Sequence, residues 1–188
     1  MFEIKKLTPD LIQIFTDYLE NISFGHAPHW STCYCHYYHN QLGNDEWFKR
    51  SGEQNKTATI QAINEGLMTG FLAFDNNQCI GWLNGNQTIY YPRLEHLLKP
   101  IVQDRKVAMT ICFIVHPDFR NKGVARKLLS YAIEYYRDQG FDGMIATPVD
   151  MNQMKELNYH GTLGMYQEQE YELLEIIGNT HLMYKTFK

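Results

Sequence analysis

Phe113-Ile114-Val115-His116-Pro117-Asp118-Phe119-Arg120-Asn121-Lys122-Gly123-Val124-Ala125 is the stretch on which the fold turns. It completes VAMTICFIV (107–115), a nearly continuous apolar run rich in β-branched residues. Such a run reads as a strand covered on both faces, and Pro117 ends it. A helix follows over 123–139: Val124, Leu128, Ala132 and Tyr136 stack at i+4, with Leu129 and Ile133 beside them. Gly140 stands where a left-handed C-terminal cap belongs, with Phe141 as its apolar partner. FDGMIATPV (141–149) is another strand, so the centre of the chain is a strand–helix–strand crossover.

The helix start carries the chemistry. The first N–H groups of a helix are unpaired and lie at the positive end of its dipole, which suits phosphate. Gly123 lets a ligand approach the backbone, and Ala125 keeps the first turn slim. Arg120, Lys122 and Arg126 add positive charge. The ligand implied is a pyrophosphate, although neither G-x-G-x-x-G nor G-x-x-x-x-G-K-[ST] occurs. The plain alternative is an ordinary loop and helix start.

Working outward, residues 2–7 read as an edge strand. Thr8-Pro9-Asp10 opens a helix, with Thr8 as N-cap and Leu11, Ile14, Phe15, Tyr18 and Leu19 on one face. Residues 21–52 read as a loop with helical turns, and 53–65 as a helix ending at Gly66. FLAFD–NNQ–CIGWLNG is a hairpin, and 86–106 reads as polar and irregular. Residues 160–169 form a short helix, with strands at 171–177 and 180–187.

The chain has 188 residues, 44% hydrophobic and 20% charged, which excludes disorder, collagen-like repeats and coiled coil. One domain over 1–188 is expected. A net charge of −4 lacks the basic footprint of a nucleic-acid binder. The longest apolar runs are about ten residues, too short to cross a bilayer. The start MFEIKKLTPDL has charges where a signal peptide needs an apolar stretch. Cys33, Cys35, Cys79 and Cys112 form no dense disulfide framework. The expected location is cytoplasmic.

With its context, RNKGVA resembles the pyrophosphate loop (Q/R)-x-x-G-x-(G/A) of the GNAT superfamily of acyl-CoA-dependent N-acetyltransferases, and the other elements follow in family order. The resemblance implies an α/β (α+β) fold: a mixed, mostly antiparallel sheet flanked by helices, with splayed central parallel strands. That splay, here between 107–115 and 141–149, would receive the pantetheine arm of acetyl-CoA. The backbone of Phe113, Ile114 and Val115 would pair with the arm. Arg120, Asn121, Lys122, Gly123, Val124, Ala125 and Arg126 would hold the pyrophosphate. GTLGMYQEQEY is similar to the family's late helix, (L/M)-Y-x-x-x-G-(F/Y), and places Tyr166 on the tyrosine that often protonates the departing thiolate. The other reading of Tyr166 is packing. Two departures stand out: Glu170 replaces the usual glycine, and the strand 107–115 has no Glu, Asp or His to serve as base. Trp30-Ser31-Thr32-Cys33-Tyr34-Cys35 and Ile80-Gly81-Trp82 are further similar to a subgroup of that family.

The expected reaction is direct acetyl transfer to a primary amine, small molecule or peptide. The alternative is a non-catalytic acyl-CoA-binding sensor or interaction module on the same fold. In such folds the N-terminal helices wall the acceptor site, so Trp30, His36 and His39 are the acceptor-side candidates, the histidines also as the missing base. His26, His29, Cys33, Cys35, His36 and His39 raise a zinc reading, but their spacing is not that of a zinc site, and no metal is expected. Cys112 reads as a small core residue, and His116 and His160 as residues beside loop and late helix. Oligomeric state stays open; exposed late strands in folds of this family often pair as homodimers.

Overall fold

The computed structural model describes residues 2–25, 27–149 and 159–187. His26 lies outside these residues. Among the described residues seven strands form one sheet: β1 (Glu3–Lys6), β2 (Gly70–Asp75), β3 (Gln78–Gln87), β4 (Val107–Val115), β5 (Gly143–Ala146), β6 (Glu172–Ile177) and β7 (Thr180–Thr186). Their spatial order is β1-β2-β3-β4-β5-β7-β6. Only β4 and β5 run parallel; every other neighbouring pair is antiparallel. The helices are α1 (Ile12–Asn21), α2 (Asn44–Trp47), α3 (Gly52–Asn64), α4 (Glu95–Val102), α5 (Val124–Asp138) and α6 (Leu163–Gln167).

The sheet separates two apolar layers. Phe15, Tyr18 and Leu19 of α1, Ile63 of α3 and Leu98 of α4 pack with Leu72, Trp82, Met109 and Ile111. On the other face Val124, Leu128, Leu129, Ala132, Ile133 and Tyr136 of α5 pack with Phe71, Leu83, Ala108 and Met144. That face of α5 is the i+4 stripe read from sequence. Gly81 makes the approach close: a Cβ there would meet Val124 Cγ1 at 2.8 Å.

Two irregularities of β4 shape the site. Asn84 is opposite Cys112 and Gly85 opposite Thr110, so Ile111 has no counterpart on β3. This bulge brings Cys112 and Ile114 to the layer that already holds Met109 and Ile111. Second, β4 pairs with β5 only over Val107–Thr110 against Gly143–Ala146. Beyond Thr110 the strands part, which is the expected splay. His116 N–H donates to the Ile80 carbonyl, so by alternation Ile114 bonds toward β3. Phe113 and Val115 therefore turn their backbone groups toward the open side.

Several boundaries differ from the sequence reading. Residues 86–106 are not simply irregular: β3 runs to Gln87, and α4 has Pro100 in its interior. Proline normally breaks a helix, but Leu98 and Val102 bury against the core and hold this one. The strand expected at 141–149 is only Gly143–Ala146, because Val149 leaves to bridge Thr180 of β7. The late helix shortens to Leu163–Gln167. Thr8 makes no side-chain cap bond, and the chain enters α1 through a 3-10 turn at Pro9–Leu11. Glu170, at the position of the expected glycine, adopts φ 59°, so the turn keeps a left-handed residue without the glycine.

Candidate active site

The loop after β4 is tied back by its own side chains. Asp118 N–H donates to His116 Nδ1 at 3.3 Å, and Arg120 Nε donates to the Val115 carbonyl at 3.2 Å. Asn121 and Gly123 are both left-handed, at φ 60° and 80°. Gly123 is the N-cap of α5 and supplies no capping side chain. The first intrahelical bond runs from Lys127 N–H to the Gly123 carbonyl. The N–H groups of Val124, Ala125 and Arg126 thus point out of the helix end. A Cβ built on Gly123 meets nothing within 4 Å. Lys122 stands over the Phe119 ring at 5.2 Å. Arg126 is engaged: its Nε and Nη2 donate to the two carboxylate oxygens of Glu168 at 2.7 and 2.9 Å.

Tyr166 closes the apex where β4 and β5 part. It is wholly buried, its hydroxyl donates to the His160 carbonyl at 2.9 Å, and Thr110 Oγ1 is 3.1 Å away. Burial raises its pKa, with the Thr110 bond opposing, so the phenol keeps its proton at any physiological pH. Phe113 meets the Tyr166 ring edge-on at 6.5 Å. His160 beside it is also buried, and burial lowers its pKa to about 4.

On the other face of β4 lies a cavity of about 450 Å³. Its walls are the N-terminal segment, α1, α3, Cys112 and Ile114 of β4, and Tyr159. Trp30 lines it, edge-on to Tyr159 at 5.0 Å. Tyr38 and Tyr159 bring their hydroxyls to 3.3 Å. His36 and His39 are not among the lining residues. His39 Nε2 lies 3.0 Å from Asn84 Nδ2, and Tyr91 donates to the same amide's oxygen at 3.0 Å. Burial lowers both histidines to about 4, so both are neutral at pH 7 and weakly basic. Tyr18 donates to the Ile114 carbonyl at 2.9 Å, pinning α1 to β4.

Thiolate formation is disfavoured at three of the four cysteines. Cys33 and Cys79 are pushed up to about 12, chiefly by burial, and Cys112 is raised as well, with Cys35 the largest cause. Among the described residues no three His, Cys, Asp or Glu side chains are arranged to hold a metal ion. Sequence reasoning missed Arg50, Asn55 and Tyr159 as cavity residues; none belongs to a motif, and only the fold brings them together.

The model of the Acetyltransferase (GNAT) family matches residues 27–165. No curated protein matches the chain. Among solved structures, a polyamine N-acetyltransferase of Drosophila melanogaster that forms N-acetylagmatine aligns with TM-score 0.60 at 9% identity, covering 99% of this chain and all of that one. The GNAT-family acetyltransferase of Streptococcus pneumoniae gives TM-score 0.56 at 14% identity, covering 99% of each chain. The PaiA N-acetyltransferase of Thermoplasma acidophilum, in complex with coenzyme A, gives 0.54 at 14% identity, again covering 99% of each. At these identities the likeness is one of fold. The family match spans most of the chain and runs from the aromatic cavity wall through RNKGVA to the helix of Tyr166, so the chain belongs to the GNAT family of acetyltransferases and is an acyltransferase.

Proposed function

We propose that this acyltransferase moves an acetyl group from acetyl-CoA directly to a primary amine. What carries the reading is one continuous segment: a strand that β5 leaves beyond Thr110 runs into a helix N-terminus without a side-chain cap, at a left-handed glycine with open space beside it. That arrangement fits a pyrophosphate followed by an extended chain. Phe113 and Val115 would bond the pantetheine arm, Arg120 and Lys122 would add charge, and the N–H groups of Val124 and Ala125 would cradle the phosphates. Acetyl-CoA would supply the activated acyl group. Tyr166 holds a proton on its Oη at the apex and would give it to the departing thiolate. The buried thiols, with raised pKa values, argue against an acyl-cysteine route.

The Drosophila neighbour acts on a polyamine or agmatine, but 9% identity carries no acceptor over. Calorimetry with acetyl-CoA tests the cofactor half, with micromolar affinity expected, about −8 kcal/mol. Gly123→Val should abolish most of that binding, because its side chain would enter the space kept open beside the helix end and because φ 80° strains a β-branched residue there; a thermal melt of the variant checks that the domain stays folded. No heat and no thermal shift with millimolar acetyl-CoA would defeat the reading. Binding without turnover over an amine panel would favour a non-catalytic acyl-CoA sensor.

A further inference from the structure

The lining of the cavity states what the acceptor must look like. Rings make up half of its lining side chains, including Trp30, Tyr38, Trp47 and Tyr159, and among the described residues that line it there is no Asp or Glu. Among the described residues the only permanently charged lining side chain is Arg50. Arg50 is placed, not loose: its Nε donates to Asn55 Oδ1 at 2.6 Å and its Nη2 to the Gln54 carbonyl at 2.7 Å. Asn55, 2% exposed, is itself anchored by donating to the Thr32 carbonyl at 2.9 Å. Yet the ion pairs among the described residues do not include Arg50. A guanidinium oriented by a buried amide, facing a cavity and lacking a carboxylate, is a half-made bidentate site.

Resting on the acetyl-transfer reading, we infer that the acceptor is a primary amine on an aromatic body that also carries a carboxylate, held by Arg50, and is not a polycation. The ring packs among the aromatic walls. The carboxylate completes the Arg50 fork at the α3 end of the cavity. The amine lies toward Cys112 and Ile114, where β4 borders the cofactor side. A polyamine would bring two or more charges to a wall that, among the described residues, holds one cation and no anion, which like-charge repulsion disfavours. The cavity volume accommodates an amino acid or short peptide.

The experiment has a binding arm and a turnover arm at pH 8. L-phenylalanine and L-tryptophan are compared with phenethylamine and tryptamine, which lack only the carboxylate, and with spermidine. Binding is read by isothermal titration calorimetry on the protein alone, so it depends neither on catalysis nor on a fluorophore the ligands share. The amino acids should bind at least about tenfold more tightly than their decarboxylated partners, and spermidine should not bind measurably. Arg50→Gln should erase that tenfold preference, and Arg50→Lys should restore part of it. In turnover the same contrast should appear in KM, and Arg50→Gln should narrow it. Equal or tighter binding of the amines or of spermidine overturns the inference. So does a carboxylate preference that survives Arg50→Gln, or no binding of either amino acid at 10 mM, roughly a −3 kcal/mol floor. Failure of the acetyl-transfer reading shows separately, as acetyl-CoA that neither binds nor turns over while the binding arm still answers.

Discussion

Deleting one oxygen, Tyr166→Phe, tests chemistry and packing at once. The Tyr166 hydroxyl is wholly buried, donates to the His160 carbonyl and lies 3.1 Å from Thr110 Oγ1. Its loss leaves a buried carbonyl short of a donor, a cost of about 1–3 kcal/mol. At this chain length each kcal/mol lowers Tm by about 2–4 °C, so a drop of roughly 2–12 °C is expected whatever the role of the tyrosine. If the hydroxyl also donates to a thiolate as it departs, a charge-assisted bond worth about 1.5–3 kcal/mol is lost from the transition state. At 1.36 kcal/mol per decade that is roughly a 10- to 150-fold fall in kcat. The two effects separate because Thr110→Val disturbs the same buried cluster and spares the donor. Stopped-time acetylation assays below the lowest Tm, with acetyl-CoA affinity measured in parallel, should show a kcat loss in Tyr166→Phe and not in Thr110→Val, with unchanged cofactor affinity in both. A Tyr166→Phe enzyme with wild-type kcat and a lowered Tm would reduce Tyr166 to packing.

Two further expectations follow. Glu168→Gln releases Arg126 from an exposed pair worth about 0–1 kcal/mol, so if Arg126 turns to the pyrophosphate, acetyl-CoA should bind up to roughly fivefold more tightly at low salt; unchanged affinity in calorimetry would remove Arg126 from the phosphate site. Burial depresses His36, His39 and His160 from 6.5 to about 4, so the unfolded chain binds more protons between these values and stability, full above pH 6.5, is lost as pH falls toward 4. Thermal melts from pH 7.5 to 4.5 should show that decline, and a flat profile would mean the rings are solvated.

The core of the fold was legible because its signals are local. A β-branched run ending at Pro117, a strict i+4 stripe on α5 and Asn76-Asn77 at positive φ between two apolar runs each specify their element without help from the rest. Helix α4 was not legible because Pro100 argues against it locally, and only burial of Leu98 and Val102 against the sheet decides otherwise. The bulge at Ile111 has no signature within VAMTICFIV; it shows only in pairing against β3. At the site, RNKGVA and Tyr166 could be read because they are motifs. Trp30 was named for its aromatic company and does line the cavity. His36 and His39 came from the same segment, yet each turns from the cavity, His39 into the Asn84–Tyr91 cluster. A segment of 3-10 turns has no fixed period from which to read which side chains face which way.

The bulge and the splay together answer the question raised by a central strand without a carboxylate. Past Ile111, β4 offers open backbone to one edge, while Cys112 and Ile114 face the aromatic cavity. Cofactor and acceptor would thus meet across a single strand, and the acceptor amine would enter a wall that holds a cation and, among the described residues, no anion. A neighbouring positive charge and partial desolvation both disfavour an ammonium. The smaller the amine's own pKa, the less there is to remove: a peptide's α-amine near pKa 8 is about one-tenth neutral at pH 7, an alkyl amine near 10.4 under about one part in a thousand, and a free amino acid, whose carboxylate holds its ammonium, lies between them. A lowered acceptor pKa would let water take the proton that a strand carboxylate would otherwise accept. The kinetic signature is specific. The acid limb of kcat/KM should follow the free acceptor's amine, while the limb of kcat, which reports the bound complex, should lie lower by up to about one unit and return upward in Arg50→Gln. A kcat limb fixed at one value across acceptors of different amine pKa would instead report a side-chain base, and the cavity's charge would then have no part in deprotonation.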